Sequence, residues 1–228
     1  MNAKSYLLKC KFETPVLGSQ PTKDVASEFL AKRAGIEGIP EDELESLPDV
    51  LEKGTTVFHR DSKGRPCLFD YQVKGFIKEA GKTFNGLRAA KNLRSKIDSY
   101  VFVYPRMILL RQENHTEMEY LERPLRAETM QGPRVALARS EMLAAGTRFE
   151  VVVDILEPGP ITVELLQDLV SYGERKGLGQ WRNGGYGRFV VTSWTELEIE
   201  GEEEEGASEL VVAEGVDVSD ATLVMAEV

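Results

Sequence analysis

Thirteen residues, Gly177 to Phe189 (GLGQWRNGGYGRF), hold five glycines, two arginines, a tryptophan and a tyrosine, with Arg175 and Lys176 just upstream. Glycine at this density lets backbone approach a ligand closely and adopt φ > 0. Arginine grips a phosphate through a planar fork, and an aromatic ring stacks on a base. The chemistry on offer is polyanion binding through Lys176, Gly177, Gly179, Trp181, Arg182, Gly184, Gly185, Tyr186, Gly187 and Arg188. Asn183-Gly184 is also the strongest short hairpin signal, and Arg188 to Val191 reads as the strand that follows. The expectation is therefore a hairpin, either plain or one that also grips a polyanion. Trp181 reads equally as core or as a stacking ring.

A second candidate lies upstream. Val73 to Arg111 carries nine basic residues against two acidic ones, Glu79 and Asp98. Val73, Phe76, Ile77 and Ala80 share one side of a helix expected over Val73 to Phe84, and Lys74, Lys78 and Lys82 fall at i, i+4 and i+8 on the other. Most such rows are solvated faces. Within so basic a segment this one, continued by Arg88, is also a candidate phosphate track.

Other chemistries find little support. His59 and His115 have no carboxylate or cysteine at ligand spacing, so no metal is expected. Gly81-Lys82-Thr83 resembles the end of a phosphate-binding P-loop, but Gly75 lies one residue too far upstream and the stretch reads as helix. The glycine stretch precedes a strand rather than opening a helix, which fails the dinucleotide pattern. No cofactor is expected. Metal-independent RNA cleavage through the 2′-hydroxyl needs only a base, an acid and charge stabilisation. His59 is the candidate base, with Lys74 or Arg188 as stabiliser, and Asp24 is another candidate. Both histidines read more simply as having no catalytic role, so the first expectation is a binder, with an endoribonuclease as the alternative.

The elements that must position these residues can be read in order. Ser5 to Phe12 alternates, with Tyr6, Leu8, Cys10 and Phe12 on one face, as a half-buried strand does. Glu13 to Lys23 reads as a loop, and Asp24 as the cap of a short helix from Val25 to Arg33. Residues 36–54 hold seven acidic residues and two prolines and read as an exposed insertion. Thr55 to Arg60 and Arg65 to Tyr71 flank a turn at Asp61 to Gly64. Asn85 to Lys96 extends the helix or starts another. Tyr100 to Tyr104 and Met107 to Leu110 are short strands either side of Pro105, and Arg111 to Glu119 is a polar turn. Glu122 to Gln131 reads as a loop or edge, and Pro133 to Arg139 and Thr147 to Leu156 as strands. Thr162 caps a helix from Val163 to Tyr172, whose stripe is Val163, Leu166, Leu169 and Val170. A last strand ends near Trp194. Hairpins mix with single helices, which predicts α+β with a mainly antiparallel sheet.

The net charge of −10 divides unevenly. Thr195 to Val228 has twelve acidic residues and no basic ones, which leaves 28 basic against 26 acidic in the rest. Two domains follow: a body over 1–194 and an acidic tail over 195–228, flexible or docked on a partner, that could cover a basic groove. Apolar content of 42% and charged content of 29% are those of an ordinary globular chain. No apolar run approaches the ~20 residues that cross a bilayer. The opening MNAKSYLLKC lacks the apolar core of a signal peptide, so the expected place is the cytoplasm. Two cysteines, Cys10 and Cys67, make no disulfide framework, and both are expected reduced.

Three pieces together resemble the RAMP superfamily of CRISPR-associated proteins: GLGQWRNGGYGRFVV after an apolar helix, DYQVKGFIKEAGKTF after a hairpin, and ARSEMLAAGTRFEVVVDIL. The chain also resembles RAMP-like proteins carried by phages and prophages. The resemblance spans about Lys4 to Trp194 and implies a ferredoxin-like (βαββαβ) RNA-recognition core. It matches Lys74, Lys78 and Arg88 to the family's basic helix and the five glycines to its loop. Asp24 falls roughly where some backbone subunits place a cleaving aspartate. The implied partners are single-stranded RNA or DNA, further copies of the chain along the strand, or CRISPR-like effector subunits. A phage counter-defence factor or assembly subunit mimicking such a backbone protein is a further alternative.

Overall fold

The computed structural model describes residues 2–23, 26, 55–86, 91–112, 118–129 and 132–197. All but Ala26 of the expected helix after Asp24, the acidic insertion, Arg88, His115 and the tail beyond Leu197 lie outside the described residues, as does most of the turn expected over 111–119.

The first half of the chain supplies β1 (Asn2–Phe12), β2 (Val16–Leu17), β3 (Gln20–Pro21), β4 (Thr55–Val57), β5 (His59–Arg60), β6 (Pro66–Phe69), α1 (Asp70–Thr83) and α2 (Leu93–Tyr100). The second supplies β7 (Val101–Tyr104), β8 (Met107–Leu109), β9 (Glu119–Thr129), β10 (Gly132–Leu143), β11 (Arg148–Glu157), α3 (Val163–Ser171), the one-turn α4 (Gly173–Lys176), a 3-10 turn (Arg182–Gly184) and β12 (Phe189–Leu197).

Alternation decides β1 and β11. Tyr6, Leu8, Cys10 and Phe12 are buried on one strand, and Phe149, Val151, Val153 and Ile155 on the other. The two pair antiparallel along their length, Lys4 opposite Ile155 through Lys11 opposite Arg148. With β12 outside β1 and β7 outside β11, the sheet order is β12-β1-β11-β7, antiparallel throughout. Around this sheet the chain runs strand, helix, strand, strand, helix, strand: β1, α1, β7, β11, α3, β12. The helices cover one face with the stripes their spacing predicts. Val73, Phe76, Ile77 and Ala80 of α1 join Leu166, Leu169 and Val170 of α3 in one core with the inward residues of the sheet. At its centre Phe189 meets the rings of Phe12, Phe76 and Phe149 at 6.1, 5.4 and 5.5 Å. Burying a ring of this kind contributes about 1.5–3 kcal/mol.

Local signals set the helix starts. The Gln72 side chain accepts from Phe69 N at 2.8 Å, so α1 begins at Asp70, three residues before the apolar stripe. Thr162 caps α3 as expected, its hydroxyl accepting from Leu165 N at 3.3 Å.

Two insertions build the rest. Between β1 and α1 come β2 to β6, and between β7 and β11 come β8 to β10. A second sheet has the order β2-β10-β4-β3, with β9 on the free side of β10, and a third has the order β5-β6-β8. The β4–β10 pair is parallel, and the other ladders are antiparallel. The protein is thus α+β with mainly antiparallel sheets.

Three expectations change, and a fourth, left as loop or edge, resolves to an edge strand. Thr55 to Arg60 splits: its first half joins the second sheet as β4, and only His59–Arg60 makes the expected hairpin with β6. The stretch Glu13 to Lys23 holds two short strands rather than being wholly loop. Glu122 to Gln131 lies largely within β9, a long edge strand, the position where Pro124 is tolerated. Last, the glycine stretch is not a hairpin. Leu178 N donates to Gly187 O at 2.8 Å and Gln180 N to Leu17 O at 3.1 Å, while β12 pairs with β1. Asn183 lies in the 3-10 turn, closed by Gly184 N to Trp181 O at 2.9 Å.

Candidate nucleic-acid interface

Helix α1 turns its lysines away from the core and toward α2. Lys78 Nζ lies 2.7 Å from Asp98 Oδ1. Lys74 Nζ donates to the Asp98 carbonyl at 2.9 Å, lies 3.9 Å from its carboxylate, and stands 4.8 Å from the centre of the Phe102 ring. Lys82 and Arg94 are exposed, and no hydrogen bond or ion pair is seen for either side chain among the described residues. These side chains, with Tyr71, line an open groove of about 650 Å³. The hydrogen bond from Lys78, reinforced by the charges of Lys78 and Lys74, holds the Asp98 carboxyl below its ordinary range.

The loop Gly177 to Arg188 reaches the same helix. Arg182 Nη1 lies 2.6 Å from Glu79 Oε2, and Lys176 Nζ lies 3.5 Å from Glu79 Oε1. Lys176 also donates to Asn183 Oδ1 at 3.4 Å. Partial burial works against ionising Glu79. Hydrogen bonds and charge from Arg182 and Lys176 outweigh it, so its carboxyl also lies below the ordinary range. A smaller cleft of about 210 Å³, lined by Gln72, Gly75, Glu79, Gly179 and Arg182, adjoins the groove through Gly75 and Glu79.

The glycines themselves do other work. Gly187 has φ +72°, its N–H donates to Pro15 O at 2.8 Å, and a Cβ there would fall on the Leu178 carbonyl. A Cβ on Gly177 would stand 2.6 Å from Gly187 C. The N–H groups of Gly177, Gly184, Gly185 and Gly187 all donate to backbone carbonyls. A phosphate cradle needs outward N–H groups, which these four do not provide. Gly177 and Gly187 let runs of chain close on one another. Gly184 also seats Trp181, because a Cβ there would be 2.7 Å from the indole.

Trp181 is the one large apolar side chain the loop presents, 41% exposed. It stacks on Tyr186 at 5.1 Å and 17°, and Arg123 Cζ of β9 stands 4.1 Å from its ring centre. Its φ of +52° is left-handed, which costs a non-glycine residue about 1–2 kcal/mol. The neighbouring Gln180 anchors the loop to the second sheet: its Oε1 lies 2.7 Å from Thr56 Oγ1 and 2.8 Å from Ser140 Oγ. Arg123 is buried at Nε and Nη1 with no hydrogen-bond partner for either among the described residues, and desolvation lowers its pKa. Arg188 is exposed at the end of the loop.

The structure therefore gathers Lys74, Lys78, Lys82, Lys176 and Arg182 around one side of α1. His59 is buried behind Tyr71, which lines the groove. The imidazole ring is 2% exposed, packs edge-on to Phe69 at 4.3 Å, and has Nε2 3.4 Å from Tyr71 Oη. Asp24, Arg88 and His115 lie outside the described residues. Burial pushes the Cys10 and Cys67 thiols up to about 12, which leaves both unreactive at neutral pH. No group of three metal-ligating side chains occurs among the described residues, and none of their helices is long and apolar enough to cross a membrane.

Sequence reasoning missed what Glu79, Asp98 and Arg123 do. For the first two a signal existed: they are the only acids in Val73 to Arg111. Arg123 had none, since its contact with Trp181 joins an edge strand to a distant loop.

No family model matches the chain, and neither does any curated protein. Among solved structures it is similar to a chain of a type III-B Cmr-beta bound to cognate target RNA, seen by cryo-electron microscopy. Identity is 11% and the TM-score 0.49; the match covers 85% of this chain and 60% of the other, so this chain spans less than two thirds of that one's length.

Proposed function

We propose that this chain is a non-catalytic module that binds single-stranded nucleic acid, RNA before DNA, on a ferredoxin-like core of the RAMP kind. The βαββαβ succession and the order β12-β1-β11-β7 support the core. One observation carries the binding reading: Arg182 reaches across 103 residues of sequence to Glu79, which lines the same groove as Lys74, Lys78 and Lys82. A strand lying along that groove would set phosphates against Lys82, Arg94, Lys78 and Lys74, then against Lys176 and Arg182. Trp181 and Tyr186 would meet bases beyond them. Exposed ion pairs are worth about 0–1 kcal/mol each, so a phosphate can replace a carboxylate partner at little cost. Successive copies would line up along one strand. Cleavage gains no support from His59, whose burial keeps it from a 2′-hydroxyl in the groove.

Titration of labelled single-stranded RNA and DNA by fluorescence anisotropy tests this, with heparin as a polyanion that lacks bases. The combined Lys82→Glu and Arg94→Glu variant should weaken binding about tenfold or more at low salt. It should also flatten the salt slope by about 0.7 for each phosphate that is no longer neutralised. Equal affinity for heparin and RNA would remove the role of the rings. A protein that ignores both oligonucleotides at low ionic strength, or a charge-reversed variant that binds as well as the original, ends the reading.

A further inference from the structure

The two acidic residues of Val73 to Arg111 are the two that the structure surrounds with cations. Asp98 holds Lys74 and Lys78, and Glu79 holds Lys176 and Arg182. Neither pair is buried enough to serve as a core strut: the Asp98 side chain is 55% exposed and the Glu79 side chain 35%. Lys74 and Lys78 stand four residues apart on one helix, where like charges repel, and Asp98 relieves that repulsion. A carboxylate and a phosphodiester both present two oxygens sharing one negative charge. Side chains gathered in hydrogen-bond geometry around the first are therefore set for the second.

We propose that Asp98 and Glu79 are resident counter-ions that occupy two phosphate subsites, and that a single strand binds by displacing each from its cation pair. This rests on the nucleic-acid reading above. In the unliganded protein the carboxylates keep four flexible cations ordered. Displacement favours a ligand with successive phosphates, because a lone anion gains one subsite only against a competitor tethered to the same chain. Their depressed titration means both carboxylates compete as full charges at neutral pH.

The test neutralises each acid while keeping its shape, with Asp98→Asn and Glu79→Gln titrated against a labelled uridine homopolymer and against inorganic phosphate. Removing one adjacent negative charge should tighten homopolymer binding about fivefold at low salt for either variant, the double variant binding tighter still, and should steepen the salt slope. Inorganic phosphate should bind the original protein weakly and the double variant better. Asn or Gln variants that bind the homopolymer no better than the original, or worse, overturn the counter-ion role while leaving the groove standing. An original protein that fails to bind the homopolymer at all sinks the nucleic-acid reading and this inference with it. The thermal midpoint of each variant checks the fold, and exposed Asp98→Asn should not move it.

Discussion

The lysine row of α1 and the glycine loop have the same apparent promise in the sequence and opposite constructions in the structure. The helix holds its apolar stripe inward and its cations outward, so what it offers a ligand is set by side chains on a rigid support. The loop directs three of its glycines inward. Gly177, Gly179 and Gly187 each face backbone where a side chain would begin. What the loop leaves at the surface is Lys176, Arg182, Arg188 and the Trp181–Tyr186 stack, held in place by that packing. Glycine density here reports chains that must touch, and cation spacing reports the surface that remains.

Regions built so differently should fail differently, and the largest difference lies at Gly187. Gly187→Ala drives a Cβ into the Leu178 carbonyl at φ +72°. Left-handed strain of about 1–2 kcal/mol and overpacking of about 1–3 kcal/mol add to a loss of about 2–5 kcal/mol, visible as a lower midpoint in thermal or urea unfolding. Lys78→Ala on the helix should leave unfolding nearly unchanged, since an exposed pair is worth about 0–1 kcal/mol, and should weaken oligonucleotide binding instead. A Gly187→Ala protein as stable as the original would mean that the loop is looser than its hydrogen bonds imply.

Trp181 tests the loop's own division of labour. Trp181→Gly relieves strain of about 1–2 kcal/mol. It gives up a ring stack of about 0.5–1.5 kcal/mol and a cation–π contact of about 0.5–1 kcal/mol, so stability should stay close to that of the original. If the ring meets a base, binding of single strands should fall by about 1–3 kcal/mol. The inverse result, an unstable protein that binds as before, would make the indole a strut for Arg123 and Tyr186.

How much of this could be read in advance follows from the range of the forces involved. Period-two burial in β1 and β11, the stripes of α1 and α3 and the Thr162 cap are decided within a few residues, and each was legible. The loop was not. Asn183-Gly184 is a strong hairpin signal, but β12 is claimed by β1, and Arg188 N reaches Thr14 Oγ1 across 174 residues. β9 was half legible, because Glu119, Glu122 and Pro124 interrupt its pattern in a way only an edge strand accepts. The partners of Glu79 and Asp98 were invisible. Lys74, Lys78 and Lys82 showed a row, but nothing in their spacing could say which acid, 20 or 103 residues away, would meet them or the loop.

The smallest effect separates the two carboxylates. Both have folded pKa values below the ordinary carboxylate range. A group whose folded pKa is depressed contributes stability that is present above its unfolded pKa and lost as pH falls through the folded one. Both pairs should therefore weaken on acidification below about pH 4, the usual carboxylate range. Their consequences differ, because Asp98 joins α1 only to its neighbour α2, whereas Glu79 ties α1 to the glycine loop. In a pH series of unfolding midpoints, Glu79→Gln should flatten the acid limb slightly, by no more than about 1 kcal/mol for so exposed a pair. Amide exchange in residues 177–187 should quicken at acid pH in the original protein to the rate the Glu79→Gln variant shows at neutral pH, after correction for the intrinsic pH dependence of exchange. Asp98→Asn should leave those amides as they are. Equal protection of the loop in all three proteins at every pH would mean that Gln180 and the backbone bonds to Leu17 and Pro15 hold the loop alone, and that Glu79 sets the charge of the face without fixing its shape.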